Sequence, residues 1–207
     1  MRQIYLASTS PRRIELLSQL GLSFKTISPS YEEGNYPSGS LRLISQTVRA
    51  NALEKAKIVA SDLANALIIS GDTIVVTADG LSLGKPRTPK NAMSMLRKLA
   101  GTWHHVLSSV AIIDTTTNRH KVKSTSAKVW FRDASEAMLK AYVATGEPLD
   151  KAGGYAIQGQ GSFFVKRVAG SYTAVVGLPL EIVVDLLEDF GVVIESHWQK
   201  LCIKNQN

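Results

Sequence analysis

The sequence predicts an α/β fold, either one domain or two closely joined lobes, on three observations. Apolar, β-branched runs alternate with amphipathic stretches that carry helix-capping residues. The 44% apolar content of the 207 residues is ample for a buried core. The chain also opens on an apolar strand that turns through hydroxyl residues into a helix.

That opening runs from Ile4 to Gly21. Ser10 is a natural N-cap and Pro11 occupies the favoured first helical position. Ile14, Leu17 and Leu20 share a face widened by Leu16, and Gly21 is placed to end the helix in a left-handed cap. One rule is broken. A helix N-terminus carries partial positive charge, yet its first turn holds Arg12 and Arg13, each mismatch costing about 0.3–1 kcal/mol. Arg13 also takes the position a capping box would give to Glu or Gln. Two cations, the Ser8 and Ser10 hydroxyls and free backbone N–H groups at a strand end describe an anion site, best suited to phosphate. Alternatively, the arginines splay into water or pair with Glu15 and Glu33.

Phe24 to Ile27 reads as a short strand leading into a polar loop, Ser30 to Gly39, that contains Glu32 and Glu33. By themselves two loop carboxylates are a weak functional signal. Ser40 caps a helix running to about residue 60 with a stripe of Leu41, Ile44, Val48, Ala52, Ala56 and Val59. Lys55 falls beside that stripe, so it either snorkels to the surface or meets a buried anion, whereas Lys57 falls away from it. Leu67 to Val76 is long enough for a central strand but contains Gly71 and Asp72. An Asp in such a strand must find cations or donors, or take up a proton. A plain Gly-Asp turn is the alternative, weakened because strand character resumes at once with Thr73 to Val76.

Ala78-Asp79-Gly80 is a turn, and Leu83 to Arg87 adds Lys85 and Arg87 where glycine and proline fix the backbone. Thr88 and Pro89 start a helix that ends before Gly101, with Ala92, Met95, Leu96 and Leu99 inward. His104 to Ile113 and Lys121 to Phe131 are antiparallel strands. His104 and His105 face opposite sides and cannot together ligate one metal. Asp133-Ala134-Ser135-Glu136 is a capping box for a helix to about Thr145. Gly146 to Gly161 is too polar for a core and too rich in glycine to be regular, although Tyr155 and Ile157 argue for order. Phe163 to Val168 and Tyr172 to Val176 form a hairpin around Ala169-Gly170. Leu178-Pro179 opens a last helix that Gly191 closes, leaving a mobile tail from Ser196.

The net charge of +7 points to an anionic partner. Basic residues are scattered and do not interleave with aromatics as in a stacking groove, so a small phosphorylated ligand is favoured over nucleic acid. The single cysteine, Cys202, allows no intrachain disulfide, as expected of a reducing compartment. With no apolar run of membrane-spanning length and no leader pattern, the reading is a soluble, cytoplasmic protein. There is no Walker-type loop, dinucleotide fingerprint or nucleophile elbow.

The assembled residues resemble the Maf family of nucleoside triphosphate pyrophosphatases. The resemblance rests on Leu6 to Arg13, Glu33, Lys55-Ala56, Gly71-Asp72-Thr73, Gly84-Lys85-Pro86, Gly101 with His104, Gly146 to Gly153, Ile157-Gln158-Gly159 and Val176-Gly177-Leu178-Pro179. It implies one domain over 1–207, with a core to residue 191. The implied fold is an elongated mixed sheet flanked by helices, two lobes with a cleft, like the inosine triphosphatases. It further implies hydrolysis of a nucleoside triphosphate to the monophosphate and pyrophosphate, helped by Mg²⁺ or Mn²⁺.

Pro11-Arg12-Arg13 with Lys85 and Gln158 is similar to the branch acting on dTTP and UTP, CTP or modified nucleotides being further candidates. On the same resemblance Asp72 is the proton acceptor, and Arg13, Thr73 and Gln158 influence which base is accepted. Ser108 stands where the family usually has Thr, and Ala127-Lys128 where it tends to have Thr and an acidic residue. The combined expectation is that Ser8, Ser10, Arg12, Arg13, Lys55 and Lys85 hold the triphosphate. Glu33 and Asp72 place the metal, and Gln158 reads a pyrimidine edge. A nucleotide-binding regulator of septum formation with little catalysis is the other reading, and pyrophosphate release separates the two. Oligomeric state is open, a homodimer included.

Overall fold

The computed structural model describes residues 2–31, 36–195 and 198. In chain order the elements are β1 (Gln3–Ala7), α1 (Pro11–Ser18), β2 (Phe24–Ile27), α2 (Leu41–Ala60), β3 (Ala66–Thr77), β4 (Ser82–Leu83), α3 (Pro89–Leu99), β5 (Trp103–Asp114), β6 (Arg119–Phe131), α4 (Glu136–Ala144), β7 (Val165–Ala169), α5 (Tyr172–Val176) and α6 (Leu180–Asp189). The strands form one mixed, seven-stranded sheet in the order β2-β1-β3-β5-β6-β7, with β4 paired to β3. β1 runs parallel to both neighbours, whereas β3, β5, β6 and β7 pair antiparallel.

The period-2 alternation of β3 decides what lies on each face of the sheet. Its even-numbered residues meet α2: Ile68 packs with Ala52, Ala56 and Val59, and Ile74 and Val76 pack with Ile44 and Val48. The odd-numbered residues enter two separate cores on the opposite face. Leu67 and Ile69 join Leu16 and Leu17 of α1 and Val183, Leu186 and Leu187 of α6. Val75 joins Leu96 and Leu99 of α3, Leu139 of α4, Phe131 and Phe164. Each fully buried Leu, Ile or Phe there contributes about 1.5–3 kcal/mol. Twelve-residue strands β3 and β5 run through both cores, and the stretch Gly71 to Thr73 lies between them. This is the expected pair of lobes on one sheet with a cleft.

Four local expectations are corrected. Tyr172 to Val176 is a helix, not a hairpin strand, because Ser171 caps it by accepting from the Ala174 N–H and Gly177 ends it. α4 is capped by Ser135, whose hydroxyl accepts from the Met138 N–H, while Asp133 bonds only the adjacent Ala134 N–H. Leu41, at the first turn of α2, is exposed, whereas Met95 packs partly buried against the core of α3 as expected, beside the buried Met93. Gly146 to Gly161 is only partly irregular: short 3₁₀ turns cover 147–150 and 152–154 and a third starts at 160, while 155–159 has no regular structure. The expected mobile tail falls outside the described residues except for Trp198, whose indole N–H donates to the Leu20 carbonyl at 3.0 Å. Cys202 also lies outside them. Among the described residues no helix is long and apolar enough to cross a membrane.

Candidate active site

The cleft is built on an interruption in the sheet. β1 pairs with β3 as far as Leu6 opposite Ile69, and β4 takes up the same edge only at Val75 opposite Leu83. Among the described residues the edge of β3 from Ser70 to Ile74 therefore has no strand beside it, and it faces the turn where β1 becomes α1. That turn is the Ser8-to-Arg13 segment, at the carboxyl end of a parallel strand, the usual ligand position in an α/β sheet. Ser10 is the N-cap residue with extended backbone, as expected, but its hydroxyl caps nothing. The Ser8 hydroxyl accepts from the Ser10 N–H at 3.2 Å.

Asp72 is 1% exposed and points to the α2 side of the sheet. Lys55, also buried, donates to its Oδ1 at 2.6 Å. Asn51 Nδ2 donates to Oδ2 at 3.1 Å and the Tyr36 hydroxyl to the same oxygen at 2.7 Å. Asn51 lies one turn before Lys55 on the same helical face, and its orientation is fixed because its Oδ1 accepts from the Tyr31 hydroxyl at 2.8 Å. The Lys55 ammonium also lies 5.6 Å from the Tyr31 ring centroid. Lys55 thus meets a buried anion instead of snorkelling, and Asp72 has the donors that a carboxylate within a strand requires.

Arg12 and Arg13 leave the first turn of α1 in different directions. Arg12 donates to the Asp150 carboxylate and to the Asp150 carbonyl, both at 3.3 Å. Burial works to raise the Asp150 pKa, but Lys151 and Arg12 outweigh it and hold the carboxyl below its usual range. Arg13 turns to the other face of β3, where Nε donates to the Gly177 carbonyl at 2.9 Å and Nη2 to Thr73 Oγ1 at 3.4 Å. The Ser108 hydroxyl donates to the Ala174 carbonyl at 2.8 Å and stands 2.8 Å from Thr73 Oγ1. With the Ser108 proton committed, Thr73 donates to Ser108 or to the Gly177 carbonyl and accepts from Arg13.

Two connected cavities result. One is lined by Ser8, Ser10, Arg12, Arg13, Lys55, Lys85 and Asp150 and is dominated by cations, hydroxyls and backbone N–H groups. Lys85 is exposed there, and among the described residues its ammonium has no partner. The other cavity lies between the two cores and presents Thr73, Gln158, Tyr155 and Val106, with Arg12, Arg13 and Lys85 common to both. Tyr155 is fixed from behind by His104 Nε2 at 2.8 Å and by the Phe131 ring. Burial keeps His104 neutral, its pKa pushed down to about 3.

Of the residues singled out in the sequence, Ser8, Ser10, Arg12, Arg13, Lys55, Thr73, Lys85 and Gln158 line these cavities, and Asp72, buried behind them, is joined to the first through Lys55. Glu33 lies outside the described residues. The hydroxyl retained at Ser108 is in use, and Lys128 lies opposite His105 on the face away from the cleft. Sequence reasoning missed Tyr36, Asn51, Asp150 and Tyr155. Asn51 was within reach through its four-residue spacing from Lys55; the others become neighbours only through tertiary packing.

The family model described as Maf-like protein matches residues 3–190. A Dictyoglomus thermophilum protein named dTTP/UTP pyrophosphatase is 46% identical over 191 residues, covering 92% of this chain and 97% of the relative. One of the same name from Escherichia coli O157:H7 is 43% identical, covering 95% and 97%. A Shigella flexneri protein named nucleoside triphosphate pyrophosphatase is 44% identical, again covering 95% and 97%. With the match spanning every strand of the sheet and both cores, the chain belongs to the family of Maf-like proteins.

Proposed function

We propose that this chain is a cytoplasmic nucleoside triphosphate pyrophosphatase acting on dTTP and UTP, the substrates in the names of its relatives. The observation that carries the reading is the buried Lys55–Asp72 pair beside a cation-lined pocket that opens into the cleft. The triphosphate lies along Ser8, Ser10, Arg12 and Lys85, with the base in the cleft against Thr73 and Gln158. Gln158 has donors and an acceptor suited to a pyrimidine edge. Water attacks the α-phosphorus, the bond from that phosphorus to the α–β bridging oxygen breaks, and Asp72 accepts the water proton. Arg12, Lys55 and Lys85 stabilise the charge that develops on the departing pyrophosphate.

Mg²⁺ or Mn²⁺ would be held by Asp72 together with Glu33, the two carboxylates that the resemblance gives for it. A carboxylate offers about four lone-pair positions, and three described donors occupy Asp72. Among the described residues no three carboxylate, His or Cys ligands gather. Asp72 and Glu33 together with substrate oxygens and water would complete the set, an ordinary arrangement for Mg²⁺. When bound, the ion supplies Lewis-acid neutralisation of the phosphate oxygens.

The test is pyrophosphate release from UTP and dTTP by purified protein with Mg²⁺ or Mn²⁺. Equimolar monophosphate and pyrophosphate are expected, with turnover abolished and nucleotide binding retained in Asp72→Asn. Orthophosphate as the first product, or full activity in that variant, would remove the reading.

A further inference from the structure

The segment that carries Gln158 is tied down on both sides of it by one carboxylate and one phenol. Glu147 accepts from the Gln160 N–H and the Gly161 N–H, both at 2.9 Å, and from the Tyr142 hydroxyl at 2.8 Å. Tyr142 in turn accepts from the Ala156 N–H at 3.3 Å. Ala156 precedes Gln158 by two positions and Gln160 follows it by two, so Ile157-Gln158-Gly159 is held as a short bridge between clamped ends. The fit is close. A Cβ at Gly159 would stand 2.8 Å from Glu147 Oε2, and one at Gly161 would strike the Tyr142 hydroxyl. Gly159 also has φ of +139°, a conformation essentially reserved to glycine.

The clamp keeps its charge. Burial works to raise the Glu147 pKa, but the Gly161 and Gln160 N–H groups, the Tyr142 hydroxyl and Lys151 outweigh it and hold the carboxyl below its usual range. Burial and the neighbouring Glu147 push the Tyr142 hydroxyl up, so it remains a donor. Lys151 donates to the Glu147 carbonyl at 2.8 Å and also bonds Asp150, which is the partner of Arg12. A continuous polar chain therefore joins an arginine of the anion pocket to the segment that presents Gln158 in the cleft.

We propose that Glu147, with Tyr142, is a positioning residue for base selection, holding Ile157-Gln158-Gly159 so that the Gln158 amide meets the substrate base at a fixed depth and angle. This rests on the reading of Gln158 as the base-contacting residue. Glu147 lines neither cavity and bonds Tyr142, Gln160 and Gly161 instead of Asp72, so its loss weakens recognition of the base without removing the chemistry.

The experiment compares wild type, Glu147→Gln, Tyr142→Phe and Gln158→Ala. For each, kcat and KM are measured for UTP and CTP, together with inhibition by inorganic triphosphate, which lacks a base, and amide exchange over 156–161. For Glu147→Gln, the net worth of a few charge-assisted hydrogen bonds predicts a KM for UTP raised about tenfold and the UTP-over-CTP preference reduced about fivefold. Both kcat and inhibition by inorganic triphosphate should stay within about threefold, while exchange over 156–161 speeds up about tenfold. Unchanged exchange overturns the clamp. Faster exchange with wild-type KM and preference overturns its role in selection. If Gln158→Ala also keeps wild-type preference, the fault lies in the reading of Gln158 and not in the clamp. Should Glu147→Gln fail to fold, Tyr142→Phe carries the same test with about threefold effects, and its silence overturns the proposal.

Discussion

The Lys55–Asp72 pair yields a prediction that can be worked through from the structure. Lys55→Met keeps most of the side-chain volume and removes the ammonium that donates to Asp72 Oδ1 at 2.6 Å. Breaking a buried ion pair by removing one partner costs about 3–5 kcal/mol, because the remaining charge is left uncompensated. Tyr36 and Asn51 still donate to Oδ2, and hydrogen bonds to a charged group retain about 1.5–3 kcal/mol each, so the lower end of that range applies, about 3 kcal/mol. For a chain of this size that is a fall in Tm of about 6–12 °C. Lys55→Met/Asp72→Asn removes the charge as well and should recover about 2 kcal/mol, a coupling within the range of directly contacting residues. The assay is a double-mutant cycle by urea unfolding at neutral pH. A cost below about 1 kcal/mol for the single variant, or a double variant no more stable than the single, would refute the claim that the pair is buried and mutually compensating.

Three further outcomes are expected. Tyr36→Phe removes one donor to Asp72 and should lower kcat about tenfold while leaving Tm within a few degrees; steady-state kinetics and a thermal melt check both. Arg12→Ala should weaken inorganic triphosphate and every nucleotide alike. Arg13→Ala, which loses contacts to Thr73 and the Gly177 carbonyl, should change the ranking of UTP against CTP; equal losses from both variants would contradict the separation. His104 supplies a pH dependence. Its folded pKa of about 3 lies below the ordinary value of 6.5, so between those values the unfolded chain binds a proton that the native chain does not. Stability should therefore fall as pH drops through that window, by about 1.4 kcal/mol per pH unit from this group. His104→Gln should lack that component when denaturant unfolding is compared from pH 6.5 to 4.5.

Much of the architecture is legible in the residues because local and global preferences agree. Ser40 and Thr88 cap α2 and α3 as their sequences direct, and the β-branched run at 67–76 is the central strand. The conflicts are equally informative: arginines at a helix N-terminus and an aspartate in an apolar strand both fall at the candidate site. Legibility ends where tertiary context decides. Tyr172 to Val176 is as β-branched as a strand, yet Ser171 and Gly177 close it into one helical turn against the first core. The 146–161 segment has no periodicity to read, since its order comes from long-range bonds such as those of Glu147 to backbone thirteen and fourteen residues away and of Tyr155 to His104. Tyr36 reaches the site from a loop and Asp150 from the end of a 3₁₀ turn, and no local pattern specifies the course of either.

Hydrolysis of UTP in H₂¹⁸O tests the proposed reaction most directly. Attack of water on the α-phosphorus predicts one ¹⁸O in UMP and none in pyrophosphate when single-turnover products are weighed by mass spectrometry. Label appearing in pyrophosphate, or a product mixture of UDP and orthophosphate, would contradict it.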